Sequence, residues 1–429
     1  MLVKFISRTA VLSVVLVTAL ITDAAAQERA QQGNTLTLEA AIARALATHP
    51  RISAAQQFVR AARGARLTAR SWTNPTFNYQ SESMPAAGGA VTMDREVMTF
   101  AMVPLEPLYQ LWPRSEQASA EVRAAEADLA GTRRMVALDA AAAFFSASSA
   151  QVTVDALLDV RNWLDSLVSY TRARVREGAA AEVDLIRLEV EHGRTETDLA
   201  MARVDLARAR AQLATLVGIE SFTLSVPADT IEGVASLLPR DSLLGLALLH
   251  RPELLAADAR LDAARSGVSV ERSRIVREVG VMVGAKATQG TRTLMTGLSL
   301  PIPLFDQNRG EMQRADAQRR IAVFEREQLR RQVTADVSGS YAAVQALTEQ
   351  LSLMRDSLLR RAEESRRIAE AAYREGATSL VQVLDAARAL AEARQVYHRA
   401  LFARQQSLLE LNAAIGADEG ATSRPENNR

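Results

Sequence analysis

A chain of 429 residues with no cysteine has no disulfide framework, so packing alone must hold it together. Its 51 lysines and arginines balance 50 aspartates and glutamates. Setting aside Lys4, Arg8 and Asp23 of the leader leaves a charge near zero, which gives a nucleic-acid role no electrostatic support. Aromatics make up only 4 % and alanine is abundant, a composition suited to helices packed closely side by side rather than to a globule with a bulky core.

Residues 1–26 read as a secretory signal peptide. Lys4 and Arg8 precede an apolar run from Ala10 to Ile21, and Ala24, Ala25 and Ala26 supply the small residues before a cut. No later stretch approaches 18 consecutive apolar residues, so no transmembrane helix is expected, and any membrane contact falls to strands. From Leu38 to about Ser71 the pattern is helical, broken by Pro50 after His49. Two strands follow, at about 75–83 and 96–103, separated by a loop from Pro85 to Asp94 that carries Gly88 and Gly89. A long helical pattern then runs to a charged turn, Val175-Arg176-Glu177-Gly178-Ala179, and a second arm returns through Leu188, Thr195, Leu199 and Leu206 to Gly218 at heptad spacing.

The chain then repeats itself. Ala45, Leu46 and Pro50 match Ala247, Leu248 and Pro252 at an offset of 202, and the charged turn recurs 198 positions later as Tyr373-Arg374-Glu375-Gly376-Ala377. The second copy contributes strands at about 278–288 and 293–300, with a turn through Gly290 between them. From Asn308 to Glu375 there is no proline, and Val333, Val337, Ser340, Val344, Leu347, Leu351, Met354 and Leu358 keep a 3.5-residue repeat; about 68 such residues would extend about 100 Å. The last arm reads Val383, Ala386, Leu390, Ala393, Tyr397, Ala400, Arg404, Ser407, Leu411 and Ala414, whose polar members imply a face toward water or another subunit.

The expected organisation is therefore a first repeat over 27–220, a connector over 221–240, a second repeat over 241–416 and a disordered tail over 417–429. Four strands cannot close a barrel, since about eight is the smallest number that does. In lipid an open sheet edge is not tolerated, so a membrane role demands oligomerisation. For an outer face, Phe100, Met98 and Met102 on one side and Val281, Val283 and Ala285 on another are the apolar candidates.

The whole chain beyond the leader resembles the TolC family of outer-membrane efflux channels. The resemblance is carried by Leu36-Thr37-Leu38-Glu39-Ala40-Ala41 with His49-Pro50, by Gly297 to Phe305, and by the tip from Tyr373 to Asp385. It implies a mainly helical fold with a membrane β-barrel: a homotrimer with a twelve-stranded barrel in outer-membrane lipid and a periplasmic α-barrel. Its mouth would dock a periplasmic adaptor (membrane fusion) protein and an inner-membrane RND transporter, with Arg176, Glu177, Gly178, Arg374, Glu375 and Gly376 at the docking tips.

The family closes its mouth with a tyrosine-to-aspartate link, here Tyr373 and Asp184, and often places two acids one turn apart at the constriction. Those two positions hold Gln382 and Asp385, and the family's arginine two residues after the tip glycine is Thr378. The run Leu304 to Gly310 leans toward the heavy-metal branch. Substrates, metal cations or drugs, would be conducted passively. A type I secretion channel and an exported coiled-coil scaffold are the alternatives. No catalytic motif, cofactor loop or histidine pair at metal-ligand spacing occurs, so neither an enzyme nor a bound cofactor or metal is expected.

Overall fold

A computed structural model describes residues 35–83, 95–225, 237–288 and 290–416. The leader, the loop from Pro85 to Asp94, positions 226–236 of the connector and the tail lie outside the described residues. The chain opens with β1 (Thr35–Leu36), α1 (Leu38–Thr48) and α2 (Pro50–Arg70), then the hairpin β2 (Thr76–Ser83) and β3 (Arg95–Pro104). A single helix of 70 residues, α3 (Pro107–Arg176), descends to the tip and α4 (Glu182–Val217) returns. After β4 (Thr223–Leu224) the plan repeats as α5 (Arg240–His250), α6 (Pro252–Ser273), β5 (Gly280–Thr288) and β6 (Thr291–Ser299). The second shaft is α7 (Arg309–Leu353), a π-helical turn (Met354–Leu359) and α8 (Arg360–Arg374), followed by α9 (Leu380–Ile415).

Local chemistry sets these boundaries. Thr37 caps α1, its hydroxyl accepting from the Ala40 amide at 3.2 Å, and Pro50 and Pro252 occupy first helical positions where no amide donor is needed. The returning arms α4 and α9 have 36 residues each and end on Gly218 and Gly416, both left-handed. At the start of α7, Asn308 has φ 58° and is buried. Its amide Nδ2 donates to the Glu271 carbonyl at 2.7 Å, pinning the strand-to-helix junction onto the end of α6.

The spine of the molecule is α3. Its upper part packs against α2 and α6, with α7 beyond α6, and its lower part against α4 and α9. Near mid-length, β1 pairs in parallel with β4 and covers a core of Leu36, Ala41, Phe144, Phe145, Leu213 and Phe402. A related core, built on Leu243, Ala247, Val333, Val337 and Leu411, serves the second repeat. The four long strands form one antiparallel sheet in the order β2-β3-β5-β6, leaving β2 and β6 as its two edges.

Three expectations change. One helix, α3, is long and apolar enough by length and composition to cross a membrane. Interspersed Asp139 kept its sequence from reading as one apolar run, and Ala140, Phe144 and Ala147 are packed in the protein core. The heptad seam of the second shaft holds through Met354 and then slips by one residue within the π turn, from Leu358 to Leu359. Met354 and Leu359 pack on Tyr397 and Leu401, while Leu358 is 45 % exposed, because a π turn inserts one residue into the helical ladder. Finally, Arg404 and Ser407 do not face water: Arg404 is only 4 % exposed, and its Nε donates to the Thr348 hydroxyl at 2.9 Å across the seam.

Candidate functional site

The two tips share one construction. In the first, the Ala179 amide reaches back to the Arg174 carbonyl at 2.8 Å and that of Gly178 to Val175 at 3.0 Å; in the second, Ala377 reaches Ala372 at 2.8 Å and Gly376 reaches Tyr373 at 3.1 Å. Such paired bonds end a helix on a left-handed residue, and Gly178 and Gly376 have φ of 71° and 74°. Arg176, Glu177, Gly178, Arg374, Glu375 and Gly376 are thereby turned into solvent as one exposed, charged end.

Behind the tips, Leu164, Leu167, Leu188, Leu380 and Val383 bind both hairpins of the chain together. Tyr373 belongs to this cluster at 6 % exposure, and its hydroxyl lies 3.4 Å from that of Thr171. Asp184 sits half-buried in the first turn of α4, and no hydrogen bond joins it to Tyr373 within the chain among the described residues. Gln382 is exposed and contacts Thr378. One turn on, the Asp385 side chain is 65 % exposed and lies 3.6 Å from Arg388.

Arg388 also reaches across to α4, where its Nε donates to Glu191 Oε1 at 2.9 Å. Sequence reasoning missed this pair, since nothing in the heptad pattern aligns two residues 197 positions apart. The bond from Arg388 outweighs the opposing effect of burial and holds Glu191 below the usual carboxylate range, and Glu191 raises Arg388 in turn. The region behind the tips thus carries an acid–base–acid set, Glu191, Arg388 and Asp385, where the sequence suggested one acid.

At the other end, strand register sorts every side chain to one of two faces. Phe77, Tyr79, Ala101, Val103, Val281, Val283, Ala285, Leu294 and Leu298 share one face. Leu294 there is 80 % exposed and Phe77 72 %. Asn78, Gln80, Glu96, Met98, Phe100, Met102, Met282, Lys286 and Thr293 share the other, with Lys286 Nζ 2.6 Å from Glu96. The two candidate outer sets therefore lie back to back. The Val281 set is the apolar one, since the opposite face carries Asn78, Gln80 and the Lys286–Glu96 pair. Phe100, Met98 and Met102 fall on the polar side.

At the junction between sheet and shaft, Leu108, Trp112, Ile302, Leu304 and Phe305 are exposed, as amphipathic and apolar side chains at a membrane–water boundary are. Arg292 stands on the same face as Val281 at the far rim.

A family model described as outer membrane efflux protein matches residues 41–219 and 243–417, one copy on each repeat. The chain belongs to the outer membrane efflux protein family. This is a family of transport channels rather than of enzymes. Among relatives, the chain is 27 % identical over 383 residues to the cobalt-zinc-cadmium resistance protein CzcC of Cupriavidus metallidurans, covering 89 % of this chain and 90 % of that one. It is also 27 % identical over 285 residues to the pyoverdine export outer membrane protein OpmQ of Pseudomonas putida, covering 62 % of this chain and 58 % of that one. Among solved structures, that of CusC superposes with a TM-score of 0.76 at 20 % identity, covering 89 % of this chain and 92 % of that one. The fold is thus that of the outer-membrane efflux channels.

Proposed function

We propose that three copies of this chain join edge to edge, β6 of one to β2 of the next, into a twelve-stranded barrel whose helical extension forms a duct across the periplasm. The observation that carries the reading is the four-stranded sheet with two open edges and two opposite faces, one apolar and exposed, one polar and holding the Lys286–Glu96 pair. Neither edges nor faces are satisfied in one chain, and closure with copies satisfies both.

The duct is passive. An inner-membrane RND transporter and a periplasmic adaptor deliver substrate to the mouth, the adaptor meeting the tips at Arg176 to Gly178 and Arg374 to Gly376. Tyr373, Asp184, Gln382 and Asp385 form the gate region, where exposed Asp385 gives the pore a ring of three acids. Metal cations are the favoured substrates, supported by the end-to-end match with a cobalt-zinc-cadmium resistance protein.

Membrane fractionation with heat-sensitive trimer bands tests the assembly, and a soluble monomer would overturn it. Conductance in planar bilayers tests the pore. The variant Asp385→Ala is expected to lower cation over anion selectivity; unchanged selectivity would remove that residue from the gate.

A further inference from the structure

The inward face of the sheet holds a feature that conduction does not require. Four methionines, Met98, Met102, Met282 and Met295, share it, and none stands on the lipid face of the described strands. Met102 and Met282 are direct cross-strand partners; Met295 is opposite Gly284, two residues further toward the outer rim, and Met98 is two further still, opposite Lys286. At about 3.3 Å per residue the four form a track about 13 Å long up the wall. Phe100 stands at its centre, and the Lys286–Glu96 pair at its upper end.

Glycines hold the track open. A Cβ at Gly297 would sit 2.9 Å from the Met282 methyl, and one at Gly280 would sit 3.3 Å from Met102 Cγ and 3.6 Å from its sulfur. Each thioether therefore leans onto the neighbouring strand in the space that a missing side chain leaves. All four methionines are half-buried on this side, while Leu294 and Leu298 project from the other.

We propose that this track is a transit site for soft, monovalent d10 cations, of which Cu(I) and Ag(I) are the type. Thioether sulfur is a soft donor that selects such ions over Co2+ or Zn2+. Among the described residues no group of three or more histidines, aspartates or glutamates is placed to hold a metal, and the chain has no cysteine, so thioether sulfurs are its soft donors, and four of its eleven methionines share this face. Several equivalent sulfurs in a row suit transfer from one to the next rather than tight capture. The packing alternative, methionine as a filler of irregular gaps beside an aromatic ring, predicts that leucine serves as well.

The inference rests on the reading of this face as the lumen wall, and the experiment separates the two. Purified full-length trimer in detergent is dialysed against Ag+ and, separately, against Zn2+, and retained metal is measured. Wild type is expected to retain Ag+ and not Zn2+. The variant combining Met102→Leu, Met282→Leu and Met295→Leu is expected to bind Ag+ at least tenfold more weakly, with its trimer band and single-channel conductance unchanged. Equal Ag+ retention by variant and wild type, or none by a conducting wild type, would overturn the site and leave the duct standing. A wild type that forms no channels would overturn the duct, and the site with it.

Discussion

The two repeats copy one backbone frame and fill it with different side chains. Tip glycines, terminal glycines and the 36-residue returning arms are superimposable in sequence at an offset of 198. The seam between the helices is not. Where α4 presents Leu199, Leu206 and Ala209, α9 presents Tyr397, Arg404 and Ser407. The helix that descends to the tip in the first repeat is unbroken over 70 residues, whereas its twin carries a π turn packed on Tyr397. Backbone geometry is thus the inherited part, and the second hairpin has traded a dry, regular seam for a bulkier and more polar one.

The largest expected contrast lies at the matched positions His49 and Arg251. His49 caps α2 by accepting from the Arg51 amide at 3.2 Å, a surface role. The guanidinium of Arg251 is buried and bonds both Glu253, at 3.3 Å, and Asp336, at 2.6 Å, while Arg134 closes on Glu253 from α3. Burial alone would raise Glu253, but Arg134 and then Arg251 outweigh it and keep the carboxyl below its usual range. Removing Arg251 leaves half-buried Glu253 and Asp336 each short of a charge-assisted bond, so Arg251→Ala should cost about 2–3 kcal/mol, against about 1 kcal/mol for His49→Ala. The heat-induced loss of trimer bands measures both, and equal losses would erase the contrast.

Next is the seam itself. Arg404 faces no carboxylate among the described residues, and burial lowers its pKa, which is a cost to the fold. Arg404→Leu, which restores the side chain of the first repeat, should stabilise by about 1–2 kcal/mol. The reciprocal Leu206→Arg should destabilise by more, and a lower melting point for Arg404→Leu would show that the cation has a hidden partner.

The tips sharpen the comparison from the other side, because there the repeats agree. Gly178→Val and Gly376→Val should each cost about 1–2 kcal/mol or more, since a β-branched side chain is strained at positive φ. Adaptor recovery in a pull-down should fall for both, and normal recovery would separate tip geometry from docking.

The smallest effect is acid-sensitive. The folded pKa of Glu191 lies below its unfolded value, so the pair with Arg388 contributes fully above the unfolded pKa, and its contribution is lost as pH falls through the folded one. Melting of wild type should therefore decline below about pH 4.5 more than that of Glu191→Gln. Parallel curves would assign the decline to other carboxylates.

Much of this architecture is legible in the sequence because it depends on short-range rules. Proline after the first helix, glycine at each tip and the heptads of each arm act locally, and duplication lets each half check the other. What stays hidden depends on partners far along the chain. The pairing of β1 with β4 joins two-residue strands 188 positions apart in register, too short to show alternation. The side of the sheet that Phe100 faces follows from cross-strand register, which a list of apolar residues does not contain. The π turn answers a tyrosine on another helix. Tyr373 is placed at the mouth by its turn, but its neighbour is Thr171, from the other hairpin.

Lys286 offers a practical handle on all of this. Among the described residues it is the only lysine, and it projects from the polar wall of the sheet, near the end away from the helices. An amine-reactive reagent thus has one side-chain target per subunit, three around a closed barrel. Peptide mapping, which separates Lys286 from the N-terminal amine, counts occupancy, and the conductance left afterwards gauges how far three labels fill the lumen.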